Sequence, residues 1–181
     1  MQKPPPLPAE VLARVLRTSG IDGFTLVFIA GGFGLVSLAF SDWVGALVGG
    51  LAAGAGWVEL RGRQKLRAGD VLGVHWLVRS QLILLTVILC YVAYQLRNFD
   101  PGSLLAKVED SLASAQRSFG LEVASLASSY GLTEKEFLAF ARTATRLAYL
   151  VVGLASILCQ GGLAIYYQRR EQVVAKALRK I

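Results

Sequence analysis

The chain has 181 residues and a net charge of +7, with 54% hydrophobic and only 17% charged residues and a mean hydropathy of +0.52. A soluble domain carries roughly 25% charged residues, so this composition excludes a disordered chain, and two cysteines exclude a disulfide-built scaffold. Apolar residues this dense form either one soluble core or membrane spans, and their distribution along the chain decides for spans.

Residues 1–22 are expected as a cytoplasmic arm. Lys3 to Pro8 reads KPPPLP, which favours a short polyproline II stretch. Val11, Leu12, Val15 and Leu16 then share one helix face opposite Glu10, Arg14 and Arg17, the pattern of an interfacial or collar helix. The first span follows at residues 23–40, a run without a charge. A crossing takes about 20 apolar helical residues, with ~17 as the lower limit. Ser37-Leu38-Ala39 resembles a signal-cleavage site, but the run is long for a signal core and the whole 1–22 arm precedes it.

The second span, at 43–58, is shorter than the first and also uncharged. Only Ser41 and Asp42 separate the two, which predicts a tight antiparallel hairpin with Asp42 or Ser41 capping the second helix. The second span carries two interleaved small-residue ladders, Gly45, Gly49, Ala53 and Ala46, Gly50, Gly54, and the first span offers Gly31 and Gly34. Small residues let helix backbones approach closely in lipid, where little hydrophobic drive exists between helices. These positions are the expected helix-packing surface. Because two ladders are present, one is expected to serve the hairpin and the other a third helix or a second copy.

Residues 59–76 form a basic cytoplasmic loop in this reading. Arg61, Arg63, Lys65 and Arg67 mark topology and are candidate contacts for anionic lipid headgroups, at ~1 kcal/mol per basic residue. The third span, residues 77–96, is rich in Leu, Ile and Val, and its Arg79 can snorkel to the interface. Residues 97–146 are expected as a small helical extracytoplasmic cap. A turn at Asp100-Pro101-Gly102 opens it, and stripes follow from Leu104 to Phe119 and from Val123 to Tyr130. A capping box from Thr133 to Glu136 then begins a helix that runs into the fourth span, residues 147–168. Gln160, beside Gly161 and Gly162, is expected to form an interhelical hydrogen bond or to line a polar path. The tail, residues 169–181, is basic, and Val173, Val174, Ala177, Leu178 and Ile181 share one face as a second interfacial or collar helix.

Charge sets the orientation. Thirteen of the 19 Lys and Arg residues lie in 1–22, 59–81 and 169–181. The positive-inside rule therefore predicts both termini and the 59–76 loop in the cytoplasm of a cell-membrane protein. The fold class expected is an all-α integral membrane protein with four transmembrane helices.

Catalytic chemistry is sparse. His75 is the only histidine, and zinc takes about four N or S ligands. No nucleophile motif or phosphate loop occurs, so no cofactor or metal is expected. The basic charge reads as membrane topology, not nucleic-acid binding. The expected function is non-enzymatic: helix packing and self-association, as a scaffold or as an accessory to another membrane subunit. An oligomeric channel lined by the Gly-rich spans is the alternative. A third reading is an interfacial lipid-modifying enzyme using His75 and Glu59.

Overall fold

The computed structural model describes residues 7–98 and 134–179. The described residues are helical apart from tight turns. Helix α1 (Pro8–Thr25) passes through a single π-helical turn (Leu26–Ala30) into α2 (Gly31–Ala39), and α3 (Trp43–Arg67), α4 (Gly73–Arg97) and α5 (Glu134–Leu178) follow. Four of these rods are long and apolar enough to cross a membrane: Pro8–Ala39, Trp43–Arg67, Gly73–Arg97 and Arg142–Leu178. The polyproline stretch up to residue 6 and the cap from residue 99 to Thr133 lie outside the described residues.

Several rods are longer than their apolar runs. The helix that starts with Pro8 at its first turn, where a missing N–H costs nothing, does not stop at residue 22. The expected boundary between arm and span is therefore not a break in structure. Gly20 and Gly23 do not end it, because both are buried against α3. Likewise α3 runs on through Arg67 and α4 begins at Gly73, so most of the expected 59–76 loop is helix.

Both connections among the first three rods use the same device. At the end of α2, Ser41 N–H donates to Leu38 O at 3.0 Å and Asp42 N–H to Ser37 O at 2.8 Å. At the end of α3, Gly69 N–H donates to Leu66 O at 3.1 Å and Asp70 N–H to Lys65 O at 2.9 Å. This is the Schellman pattern, which needs a left-handed residue just past the helix. Ser41 (φ 57°) and Gly69 (φ 84°) supply it. The carboxylates that follow hold the next segment: Asp42 accepts from Gly45 N–H at 3.1 Å as the N-cap of α3, and Asp70 accepts from Leu72 N–H at 2.9 Å.

The chain forms two compact units, Met1–Tyr91 with Leu154–Ile181, and Val92–Gly153. In the described part of the second, residues 92–98 and 134–153, Val92 is buried while Leu147, Leu150 and Val151 are exposed. In the first unit the larger apolar cluster joins Val11, Leu12 and Val15 of α1, Leu66 of α3, Val74 and Leu77 of α4, and Tyr167, Val174 and Ala177 of α5. The two amphipathic faces expected as interfacial or collar helices therefore pack in one cluster with the other helices, Ile181 lying outside the described residues. A smaller cluster of Ala52, Ala55 and Leu84, flanked by Leu26, Ala30 and Ile88, joins α3 and α4 to the first rod.

Candidate functional site

On α3, Ala52, Ala55, Gly56, Glu59, Gly62 and Leu66 are all buried, at the spacing of one helix face. Leu77, Gln81 and Leu84 form the matching stripe on α4. Glu59 and Gln81 thus sit at core positions of otherwise apolar or small-residue stripes. Each is fully buried.

These two side chains meet partners from the other helices. Gln81 Nε2 donates to Glu59 Oε2 at 3.0 Å and to Asp22 Oδ2 of α1 at 2.8 Å. Tyr167 of α5 donates its hydroxyl to Glu59 Oε1 at 3.1 Å. The node therefore takes one group from each of α1, α3, α4 and α5. Nearby, Ser80 Oγ donates to Ala55 O at 2.8 Å, a buried bond from α4 to the α3 backbone. An interhelical hydrogen bond in a membrane protein averages about 0.6 kcal/mol and reaches about 1.7. The node matters more through what an unmet polar group would cost in the same place.

Its electrostatics are unbalanced. Among the described residues, no ion pair within 4.0 Å reaches Asp22 or Glu59. Arg63, one turn beyond Glu59 on α3, lies against Gly20, where a Cβ would come within 2.6 Å of its Cζ. Its Nε is buried without a hydrogen-bond partner. Gln81 Oε1 is buried and unpartnered as well. Two acids, an amide and a phenol arranged this way can hold a proton or tie helices together. His75 lies elsewhere, exposed and 3.8 Å from Glu171.

The packing residues divide cleanly. A Cβ at Gly49 would meet Gly34 Cα at 2.6 Å and Ala30 O at 2.7 Å, and one at Gly45 would collide with the Asp42 carboxylate. One at Gly34 would lie 3.3 Å from Ala46 O, and one at Gly31 3.6 Å from the Ala53 methyl. Gly45, Gly49, Ala53, Gly31 and Gly34, with the Ala46 backbone of the second ladder, thus build the hairpin, joined by Gly56, which packs on Gly23 and Leu26. Gly50 and Gly54 are exposed, with nothing within 4 Å of an added Cβ.

The basic residues also divide. Arg61 lies over the Trp57 ring at 5.7 Å. Lys65 pairs with Asp70 at 3.4 Å and lies 5.7 Å from the Trp76 ring. Arg67 is exposed, whereas Arg63 is half-buried and turned onto Gly20. Gln160 is half-buried, and its side chain bonds no described residue; Gln81 makes the interhelical bonds instead. Cys90 and Cys159 are free and exposed. Among the described residues, no three His, Cys, Asp or Glu side chains gather as metal ligands.

Sequence reasoning missed the node because Asp22 and Glu59 flank uncharged runs and read as span borders. A signal was present: Glu59 continues the Ala52–Gly56 stripe, and Gln81 falls in register with Leu77 and Leu84. No protein-family model, curated protein or solved structure matches this chain.

Proposed function

We propose that this protein works in the membrane by assembling with copies of itself through the open face of α3, without catalysis. The observation that carries this reading is the asymmetry between the two ladders of one helix. Gly49 receives the backbone of the first rod and Gly45 the side chains of Ser37 and Asp42, while an added Cβ at Gly50 or Gly54 would face open space. Lipid chains fill such a groove poorly, whereas a second helix with small residues fits it at close range. The same face on a second copy offers the same groove, so a two-fold pairing of α3 with α3 is self-complementary. Exposed Leu47 and Leu51 flank the glycines and supply van der Waals contact on either side. The basic segments support placing both termini and the turn after α3 on the cytoplasmic side, with 97–146 opposite.

The test is mass determination of purified protein in mild detergent and in nanodiscs. The wild type is expected as a dimer or larger closed assembly, and Gly50→Leu with Gly54→Leu as a folded monomer. A wild type that is monomeric in every medium overturns the proposal.

A further inference from the structure

We propose that Asp22 and Glu59, bridged by the Gln81 amide, form a proton-binding site that holds one proton between the two carboxylates and governs how tightly the helices are joined. The geometry carries this. A single amide nitrogen lies 2.8 Å from one carboxylate and 3.0 Å from the other, so the two acids are held as close neighbours. Glu59 is fully buried. Two like charges in such a place repel, and one shared proton removes the repulsion while adding a hydrogen-bond donor.

The node is short of donors. Its carboxylates only accept, and the donors that reach them are the Gln81 amide and the Tyr167 hydroxyl. Gln81 is itself wholly buried, and its Oε1 has no partner. That orphaned acceptor is an independent sign of a missing donor. A proton fits better than a metal cation. The Gln81 amide nitrogen already donates to both carboxylates, and a cation would have to displace it to gain an oxygen cage, whereas a proton needs only one carboxylate oxygen and leaves the amide in place.

The surrounding charges are few. From α1 comes Asp22, and from α3 comes Arg63, which is turned onto Gly20 and pairs with neither acid. From α5 comes Tyr167, while α4 contributes only the neutral Ser80 and Gln81, its Arg79 being exposed. With one proton aboard, the amide and the phenol hold four helices to one singly charged centre. With none, the same contacts must hold two repelling carboxylates. The site therefore resists loosening at low pH and yields as pH rises, the sense expected when the neutral form is the one that folding favours.

The experiment is infrared difference spectroscopy on the full chain in nanodiscs, titrated from acid to alkaline pH at fixed sodium and then over sodium at fixed pH. The wild type is expected to show a protonated carboxyl band at neutral pH that disappears only on the alkaline side. E59Q should remove that band and flatten the fall of melting temperature that the wild type shows as pH rises. D22N should keep the band but move its loss to lower pH, which preserves the test should E59Q misfold. No protonated carboxyl in the wild type at neutral pH overturns the proposal. So does a band that sodium abolishes at constant pH, since that names a metal cation as the ligand.

Discussion

Gly49 and Gly50 are adjacent in sequence and face opposite demands. A methyl at Gly49 would press on Gly34 Cα and Ala30 O, both backbone atoms that cannot rotate away. A methyl at Gly50 meets nothing within 4 Å. Overpacking a tight contact costs typically 1–3 kcal/mol, whereas Gly to Ala in an open helix position gains up to about 1 kcal/mol of helix propensity. Gly49→Ala should therefore lower the thermal midpoint of the monomeric Gly50→Leu/Gly54→Leu background in detergent, and in the otherwise monomeric chain Gly50→Ala should leave it unchanged or raise it. The two ladders were legible from spacing alone, because small residues four apart fall on one face. Which ladder met the first rod was not, since that depends on how the hairpin turns. Gln81 and Gln160 teach the same limit. Both are uncharged amides inside apolar runs, and only the partners that tertiary packing brings, Asp22 and Glu59, distinguish them.

At the scale of the element, the α2–α3 hairpin is joined by Ser41 and Asp42, each with a separate task. Ser41 takes the left-handed conformation that closes the Schellman turn, and Asp42 caps α3 through Gly45 N–H. A left-handed backbone costs a residue with a Cβ roughly 1–2 kcal/mol, and losing an N-cap carboxylate costs about 0.5–2 kcal/mol. Ser41→Gly should thus stabilise the hairpin, as Gly69 already does at the end of α3, while Asp42→Ala should destabilise it and Asp42→Asn should not. Thermal unfolding of the three variants in one detergent measures the order, and Ser41→Gly below wild type would contradict it. That Ser41 or Asp42 caps α3 was readable because these two residues alone separate two uncharged runs; which of the two does so was not. Helix ends were less readable. Charge marks where a helix can leave the hydrocarbon, not where its hydrogen bonding stops, so α1 and α3 extend well beyond their uncharged segments.

At the scale of the molecule, the apolar weight of the first unit lies where the beginning of α1 meets the end of α5. Four apolar rods were foreseeable from composition, since uncharged runs long enough to cross a bilayer have few other uses. The joining of the two outlying amphipathic faces was not, because a face that suits a membrane surface suits a partner helix equally well. The two arrangements separate at Val174. On a membrane surface it would meet lipid from a pliable tail, and a charge there would tilt the tail toward water at little cost. Here Val174 is wholly buried among residues of the cluster formed by all four long rods. A charge introduced there is enclosed without a partner, one of the few changes expected to cost a fold more than about 4 kcal/mol. Val174→Asp should therefore abolish the monodisperse peak on size-exclusion chromatography and strip protection from the start of α1 in hydrogen exchange. Lys176→Asp, at an exposed position close by on the same helix, controls for the charge itself and should behave as wild type. Equal behaviour of the two variants would place the tail on the lipid surface rather than in the core.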